Sequence, residues 1–143
     1  AIDCLYCHDS AAKSSFAGIP STETCMTCHS QLFTDSPMLE PIRESFATGE
    51  AIEWNRVHDL PDYVYFDHSI HVQKGVDCRS CHGEVADMPL VHQQQPLYME
   101  WCLDCHREQT PTTFPHSLSE YNEAESSAPH PVNPLTNCYT CHR

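Results

Sequence analysis

Every cysteine of this 143-residue chain lies in a C-x-x-C-H pentapeptide, and the ten cysteines make five such motifs. Two thiols three positions apart reach the two vinyl groups of one haem, and the adjacent imidazole then binds its iron. The spacing therefore predicts five covalently attached haem c groups, held by Cys4, Cys7, Cys25, Cys28, Cys78, Cys81, Cys102, Cys105, Cys138 and Cys141. The expected proximal iron ligands are His8, His29, His82, His106 and His142.

A C-x-x-C pair can also serve zinc binding or thiol–disulfide chemistry. Structural zinc needs four donors, usually two pairs per ion, and five pairs cannot be divided evenly among such sites. A thioredoxin-like motif would occur once, near a βαβ pattern. Because 11 of 143 residues are His, chance would seldom place one after all five pairs. Haem attachment accounts for every motif.

Five haems in a chain of this length leave fewer than about thirty residues for each. The core must then consist largely of porphyrin, which agrees with the presence of 11 Pro and 4 Gly and with a low mean hydropathy. The predicted fold is mostly irregular coil with short α-helices around closely packed haems, with little or no sheet. We expect that such a chain does not fold without its haems, because its apolar side chains cannot offset the chain entropy.

The formal net charge of −13 bears on possible partners. This charge argues against nucleic-acid binding, because an acidic protein is repelled by phosphate. A basic redox partner, or a place within a larger complex, fits better. No run of about 20 apolar residues that could span a bilayer occurs in the sequence. Since c-type haem is attached outside the bacterial cytoplasmic membrane, we expect a periplasmic location and a leader or anchor ahead of Ala1.

The motif spacing suggests an internal repeat. The first cysteines are separated by 21, 53, 24 and 36 residues, which indicates two haem pairs and a single C-terminal haem. Ala1-Ile2-Asp3-Cys4 matches Gly75-Val76-Asp77-Cys78, and the second motifs of the two pairs also align. We expect one pentahaem domain over 1–143, with a two-haem repeat at 1–35 and 66–110, a linker helix region at 36–65 and a single-haem segment at 111–143.

Two short helices can be placed around the second copy of this repeat. Ser36 as N-cap, Pro37 at the first position and Gly49 as terminator predict a helix in the linker. Asp67 and Gly75 bound a second helix, which carries the F-x-H-x-x-H element at 66–71. The first copy has no such element, so we expect a matching His pair upstream of Ala1. Residues 110–134 are predicted to form a surface loop.

The distal side of each iron needs a further ligand. The remaining histidines are His58, His68, His71, His92, His116 and His130. His68 and His71 are i, i+3 neighbours on one helical face, so they cannot bind one iron from opposite sides and must serve two haems. His58 is the next candidate. His130 and Met99 are weaker ones, since a polar imidazole near proline is more often solvated and a Met more often packs.

These residues resemble the multihaem cytochrome c3/c7 group, through the F-x-H-x-x-H element followed by C-x-x-C-H. A closer resemblance is to the pentahaem subunits of bacterial alternative complex III. It is carried by residues 57–71, 99–107, 17–29 and 138–143 and so extends over nearly the whole chain. The resemblance implies a c3/c7-like architecture and an upstream membrane anchor.

The resemblance also implies a function. The chain would be a periplasm-facing subunit of a membrane quinol oxidoreductase. It would pass electrons from quinol-oxidising membrane subunits and an iron–sulfur/molybdopterin-like subunit to a monohaem cytochrome c or a terminal oxidase. The alternatives from the motifs alone are a freestanding carrier, a polymerising haem wire and, least favoured, an enzyme with a five-coordinate iron. Pentahaem nitrite reductases typically hold their active haem by C-x-x-C-K, which is absent here.

Overall fold

The computed structural model describes residues 2–108 and 134–142. About half of these residues lie in α-helices or 3-10 turns, and none of them lies in a strand. This confirms the predicted class of short helices joined by coil without sheet. The helices of the described residues are α1 (Cys4–Cys7), α2 (Thr22–His29), α3 (Glu40–Thr48), α4 (His68–Gln73), α5 (Cys78–His82), α6 (Met99–Glu108) and α7 (Cys138–Cys141). None of them is long and apolar enough to cross a membrane.

Helices α1, α5 and α7 are single turns that each carry one C-x-x-C pair. An isolated turn is costly to nucleate, so its ends need support from side chains. In all three the residue before the first cysteine is an Asp or Asn whose side chain accepts from the backbone N–H two positions on, which stabilises the turn by about 1 kcal/mol. The bonds are Leu5 N to Asp3 Oδ1 (2.8 Å), Arg79 N to Asp77 Oδ1 (2.8 Å) and Tyr139 N to Asn137 Oδ1 (3.0 Å).

Helices α2 and α6 are longer, with 8 and 10 residues, and carry the second and fourth motifs. In each predicted haem pair, therefore, the first motif lies on a capped single turn and the second on a longer helix. Corresponding motifs thus occupy the same kind of helix in residues 1–35 and 66–108. The repeat itself stays a prediction.

The linker contains the predicted helix in two pieces. Ser36 precedes a 3-10 turn, Pro37–Leu39, and α3 follows from Glu40 to Thr48. The prediction of Ser36 as the N-cap was wrong, because its side chain makes no cap bond and Leu39 holds the N-cap position of α3. The break has a physical reason, because Pro41 has no N–H with which to continue an α-helical ladder back to Pro37. The predicted terminator is confirmed: Gly49 has φ 76° and its N–H donates to Ser45 O at 2.8 Å.

The chain forms two compact units. Unit 1 comprises Ala1–Val57 and Asp67–Gln73, and so contains the first two motifs and α4. Unit 2 comprises His58–Phe66 and, as far as it is described, Lys74–Arg143, with the other three motifs. The segment 58–73, which we call the strap, therefore divides between the units: residues 58–66 belong to unit 2 and residues 67–73 to unit 1.

A conventional apolar core is missing from the described residues. Among them, Ala11 is the buried apolar residue and Ser45 the buried polar one, each 7% exposed. Large apolar side chains remain open instead, as in Phe33, Met38 and Leu90, which are 74%, 78% and 82% exposed. Exposure of so many large apolar groups is unusual for a stable fold. It agrees with the expectation that porphyrin supplies the core.

Candidate haem-binding sites

In unit 1 the proximal candidates His8 and His29 are held by backbone carbonyls. His8 Nδ1 lies 2.8 Å from Gly18 O, and His29 Nδ1 lies 3.2 Å from Leu32 O. A carbonyl oxygen can only accept, so Nδ1 carries the hydrogen and the lone pair lies on Nε2. This is the tautomer in which Nε2 can bind a metal. The hydrogen bond from Nδ1 to the carbonyl fixes the orientation of the ring.

Two proximal candidates of unit 2 are held in the same way. His106 Nδ1 lies 2.9 Å from Leu135 O, and His142 Nδ1 lies 3.2 Å from Tyr63 O. The Tyr63 ring also stacks on His142, with centroids 5.9 Å apart and planes 26° apart. Tyr65 N donates to Cys141 O at 2.6 Å. The unit 2 part of the strap thus lies directly against the fifth motif.

Helix α4 presents both histidines of the F-x-H-x-x-H element with the same tautomer. His68 Nδ1 lies 2.7 Å from Ser15 O, and His71 Nδ1 lies 2.8 Å from Asp67 O. Asp67 caps the helix as predicted, with Oδ1 accepting from Ser69 N at 2.8 Å. The lone pair of each imidazole is therefore on Nε2, as a distal ligand requires.

Helix α4 is anchored to the residues that follow the first motif. His68 N and Ser69 N donate to Ser15 O and Ser14 O at 3.3 Å and 3.1 Å. Gln73 Nε2 donates to Ala12 O at 3.1 Å. These bonds lie within unit 1, so the structure brings His68 and His71 into the unit that carries His8 and His29.

His58 lies at the other end of the strap, in unit 2, and its environment differs from that of the other ligand candidates. Its ring meets the ring of His82 edge to face, with centroids 4.4 Å apart and planes 72° apart. Its Nε2 is buried and has no hydrogen-bond partner among the described residues. Burial lowers the pKa of His58, which favours the neutral imidazole that binds metals.

The remaining possible distal ligands are either exposed or lie outside the described residues. Met99 begins α6 and is 66% exposed. His92 is exposed, and its Nδ1 lies 3.3 Å from the nearby Leu90 O. His116 and His130 lie outside the described residues, as does the predicted loop at 110–134.

No disulfide joins any of the ten cysteines, all of which lie in the described residues, and some of them lie close enough to one another to affect each other's pKa. Burial raises the pKa of Cys25, and the neighbouring Cys7 raises it further. Burial also raises the pKa of Cys81, with a smaller contribution from Cys105 and Cys102. The pKa of Cys102 is raised by burial and then by Cys141. Attachment motifs 1 and 2 therefore lie together in unit 1, and motifs 3, 4 and 5 lie together in unit 2.

The residues present fit covalently bound haem. Histidines paired through Nδ1 offer Nε2 to iron, thiols sit three positions apart beside them, and exposed apolar side chains supply the surfaces that a porphyrin would cover. His58 adds a buried nitrogen without a partner. Within the described residues, no three His, Cys, Asp or Glu side chains converge as they would around a zinc ion.

Sequence reasoning missed the groups that orient the imidazoles. Most of these groups are backbone carbonyls, which leave no signal in residue type. One signal was available for the caps, since the first cysteine follows Asp or Asn in three of the five motifs. Another was Gly18, which has φ 69° and whose carbonyl accepts from His8. A glycine in that conformation carries no steric cost.

Two comparisons with known proteins bear on this arrangement. The profile of the family described as cytochrome c7 and related cytochrome c matches residues 64–143, which is more than half of the chain. The chain is also similar to the menaquinone reductase multiheme cytochrome c subunit of Nitratidesulfovibrio vulgaris strain Hildenborough. The two are 28% identical over 153 residues, which cover 99% of this chain and 70% of that protein.

Proposed function

Because the chain belongs to the family of cytochrome c7 and related cytochromes c, we propose that it relays electrons through five haems as a subunit of a membrane quinone/quinol oxidoreductase complex. Five C-x-x-C-H motifs support the number of haems. Membership in such a complex is supported by the similarity, over 99% of this chain, to a menaquinone reductase subunit. Haem iron supplies the one-electron chemistry, and the chain supplies ligands, positions and electrostatics.

Close grouping of the attachment motifs supports the relay. Cys7 lies close enough to Cys25 in unit 1 to raise the pKa of its thiol, and in unit 2 Cys102 raises the pKa of Cys81 while Cys141 raises that of Cys102, in each case after the larger effect of burial. Haems attached at neighbouring thiols would lie close together, which favours rapid electron hopping. The proposed ligand set is His8, His29, His82, His106 and His142 on the proximal side, with His58, His68 and His71 among the distal ligands. All-histidine ligation would keep the haem potentials lower than a Met ligand would.

Two directions of electron flow are candidates. The resemblance to alternative complex III favours quinol oxidation, with delivery to a periplasmic monohaem cytochrome c or a terminal oxidase. The relative's name favours the reverse, in which electrons pass to menaquinone. In both cases the partners include an iron–sulfur/molybdopterin-like subunit and quinone-reactive membrane subunits, and the chain works on the periplasmic side of the membrane. The charge of −13 suits basic contact surfaces on these partners.

The test uses the intact complex, purified gently in detergent from native membranes. Stopped-flow absorbance at the haem bands is followed after adding a menaquinol analogue, and separately after adding menaquinone to the pre-reduced complex. Haem reduction that is coupled to quinol, or haem oxidation coupled to quinone, is the expected result and also gives the direction of flow. The proposal fails if the chain purifies alone, without quinone-reactive subunits, whether as a carrier or as filaments.

A matched variant separates relay from mere attachment. His71→Ala should keep every covalent haem but slow the exchange of electrons between quinone and the remaining haems. Gln73→Ala, on the same helix, is the control, because its side chain bonds Ala12 O and offers no ligand to iron. Equal rates of electron exchange in the two variants would show that electron transfer does not depend on His71.

A further inference from the structure

The contact between His58 and His82 is a juxtaposition of two imidazoles from separate parts of unit 2. His82 ends α5, directly after the third cysteine pair, and His58 lies twenty-four positions earlier in the coil of the strap. Their ring centroids are 4.4 Å apart. Nothing in the local sequence of either residue brings them together, so the fold of unit 2 does.

The buried Nε2 of His58 points to a missing partner. A buried polar atom without a hydrogen bond costs roughly 1–3 kcal/mol, so native proteins nearly always satisfy such atoms. Among the described residues no group bonds this nitrogen. An iron ion beside it would meet this requirement, because iron accepts the lone pair of a neutral imidazole.

The geometry at His82 is compatible with one iron shared by both rings. With metal–nitrogen bonds of about 2 Å, as histidines make to metals in proteins, two imidazoles on opposite faces of one ion have centroids roughly 6 Å apart. The distance between the ring centroids of His58 and His82, now 4.4 Å, would have to increase by about 2 Å. His58 lies in coil between exposed neighbours, Val57 and Asp59, so it can make this movement without breaking a helix.

The other described candidates in unit 2 are less suited. Met99 is 66% exposed. His92 is exposed, and its Nδ1 lies 3.3 Å from Leu90 O, two residues away. His68 and His71 belong to unit 1. His58 alone among the described histidines of the strap contacts a proximal histidine of unit 2 through its ring.

We propose that His58 is the sixth ligand of the iron held by His82, in the haem attached through Cys78 and Cys81. This assignment rests on the proposed multihaem relay and deepens it, since it pairs one distal ligand with one iron. When haem is bound, His58 and His82 would both hold the iron of the third haem, which would then be low-spin. This haem would be tied to the strap through His58, as the fifth motif is tied to it by Tyr63 and Tyr65.

The first test is spectroscopic and uses the full-length holoprotein with all haems attached, as checked by intact mass. His58→Ala should convert one haem of five to a high-spin species by electron paramagnetic resonance, and added imidazole should return it to low spin. His58→Met should raise the potential of one haem, because a Met ligand does so. His92→Ala is the control and should leave every haem low-spin. A wholly low-spin His58→Ala protein overturns the assignment.

The second test identifies the iron. If His58 and His82 share one iron, combining His58→Ala with His82→Met perturbs the same single haem, whereas ligands of two irons would give two perturbed haems. Should His82→Met prevent retention of the third haem, as seen by intact mass, His58→Ala added to that protein should leave the other four spectra unchanged. A new high-spin haem in that background overturns the assignment. A wild-type protein with five haems that relays electrons normally would, in either case, leave the proposed function standing.

Discussion

Replacing His71 by alanine removes one of the two imidazoles that α4 offers to iron. The change costs the hydrogen bond from His71 Nδ1 to Asp67 O, 2.8 Å long, which is worth about 1 kcal/mol. Alanine returns up to about 0.7 kcal/mol through its higher helix propensity. These two effects nearly cancel, so α4 should persist. A change in the haem spectrum would then report the lost ligand rather than a lost helix.

The expected size of that change follows from the motif count. One iron in five, about 20% of the haem, should become high-spin in His71→Ala, and likewise in His68→Ala. Because the two side chains lie on one helical face and cannot clasp one iron, the double variant should contain two high-spin irons. Spin-quantified electron paramagnetic resonance measures this directly. One high-spin iron in the double variant, or none in either single variant, would refute the argument that the pair serves two haems.

Three other predictions concern stability and association. Asp77→Ala should lower the free energy of unfolding by about 1 kcal/mol in thermal denaturation, because it removes the cap of α5, whereas Asp77→Asn should keep it. Ser45→Ala should cost about 1–3 kcal/mol in the same measurement, since this buried hydroxyl bonds Thr22 Oγ1 and Glu50 O at 2.9 and 2.6 Å. Thr48→Ala should cost less, because its hydroxyl also makes two hydrogen bonds, to Glu44 O and from Glu50 N, but is exposed, so that water can replace them. Electron transfer to a basic partner should slow in stopped-flow mixing when salt rises from about 10 to 100 mM, because the Debye length falls from about 30 to 10 Å; a salt-independent rate would contradict a role for the net charge of −13.

The sequence predicted the class of fold because the motifs dictate it. Ten cysteines in five C-x-x-C-H motifs leave room for short helices and coil, and that class is confirmed. Turn signals at Gly49, Asp67 and Gly75 were also reliable, since they act through local backbone preferences. The signal at Ser36 was not, because the Ser36 side chain makes no cap bond and Leu39 is the N-cap of α3. The sequence prediction of one helix from Pro37 to Gly49 did not include the break before α3, which arises because Pro41 has no N–H to bond Pro37 O.

Long-range placement of the strap could not be predicted from the sequence. The F-x-H-x-x-H element directly precedes the third motif along the chain, yet α4 bonds to residues 12–15 of unit 1. The signal for this lies in hydrogen bonds to backbone carbonyls, which any residue type supplies. The sequence predicted His58 as a distal ligand and His82 as a proximal one, but the contact between their rings could not be predicted before the fold was known.

Peptide mass mapping of the native protein tests the central claim most directly. After proteolysis, each of the five C-x-x-C-H peptides should carry one covalently bound haem. Any of these peptides recovered without haem, with its two cysteines as free thiols, in a disulfide or bound to zinc, would contradict the five-haem relay.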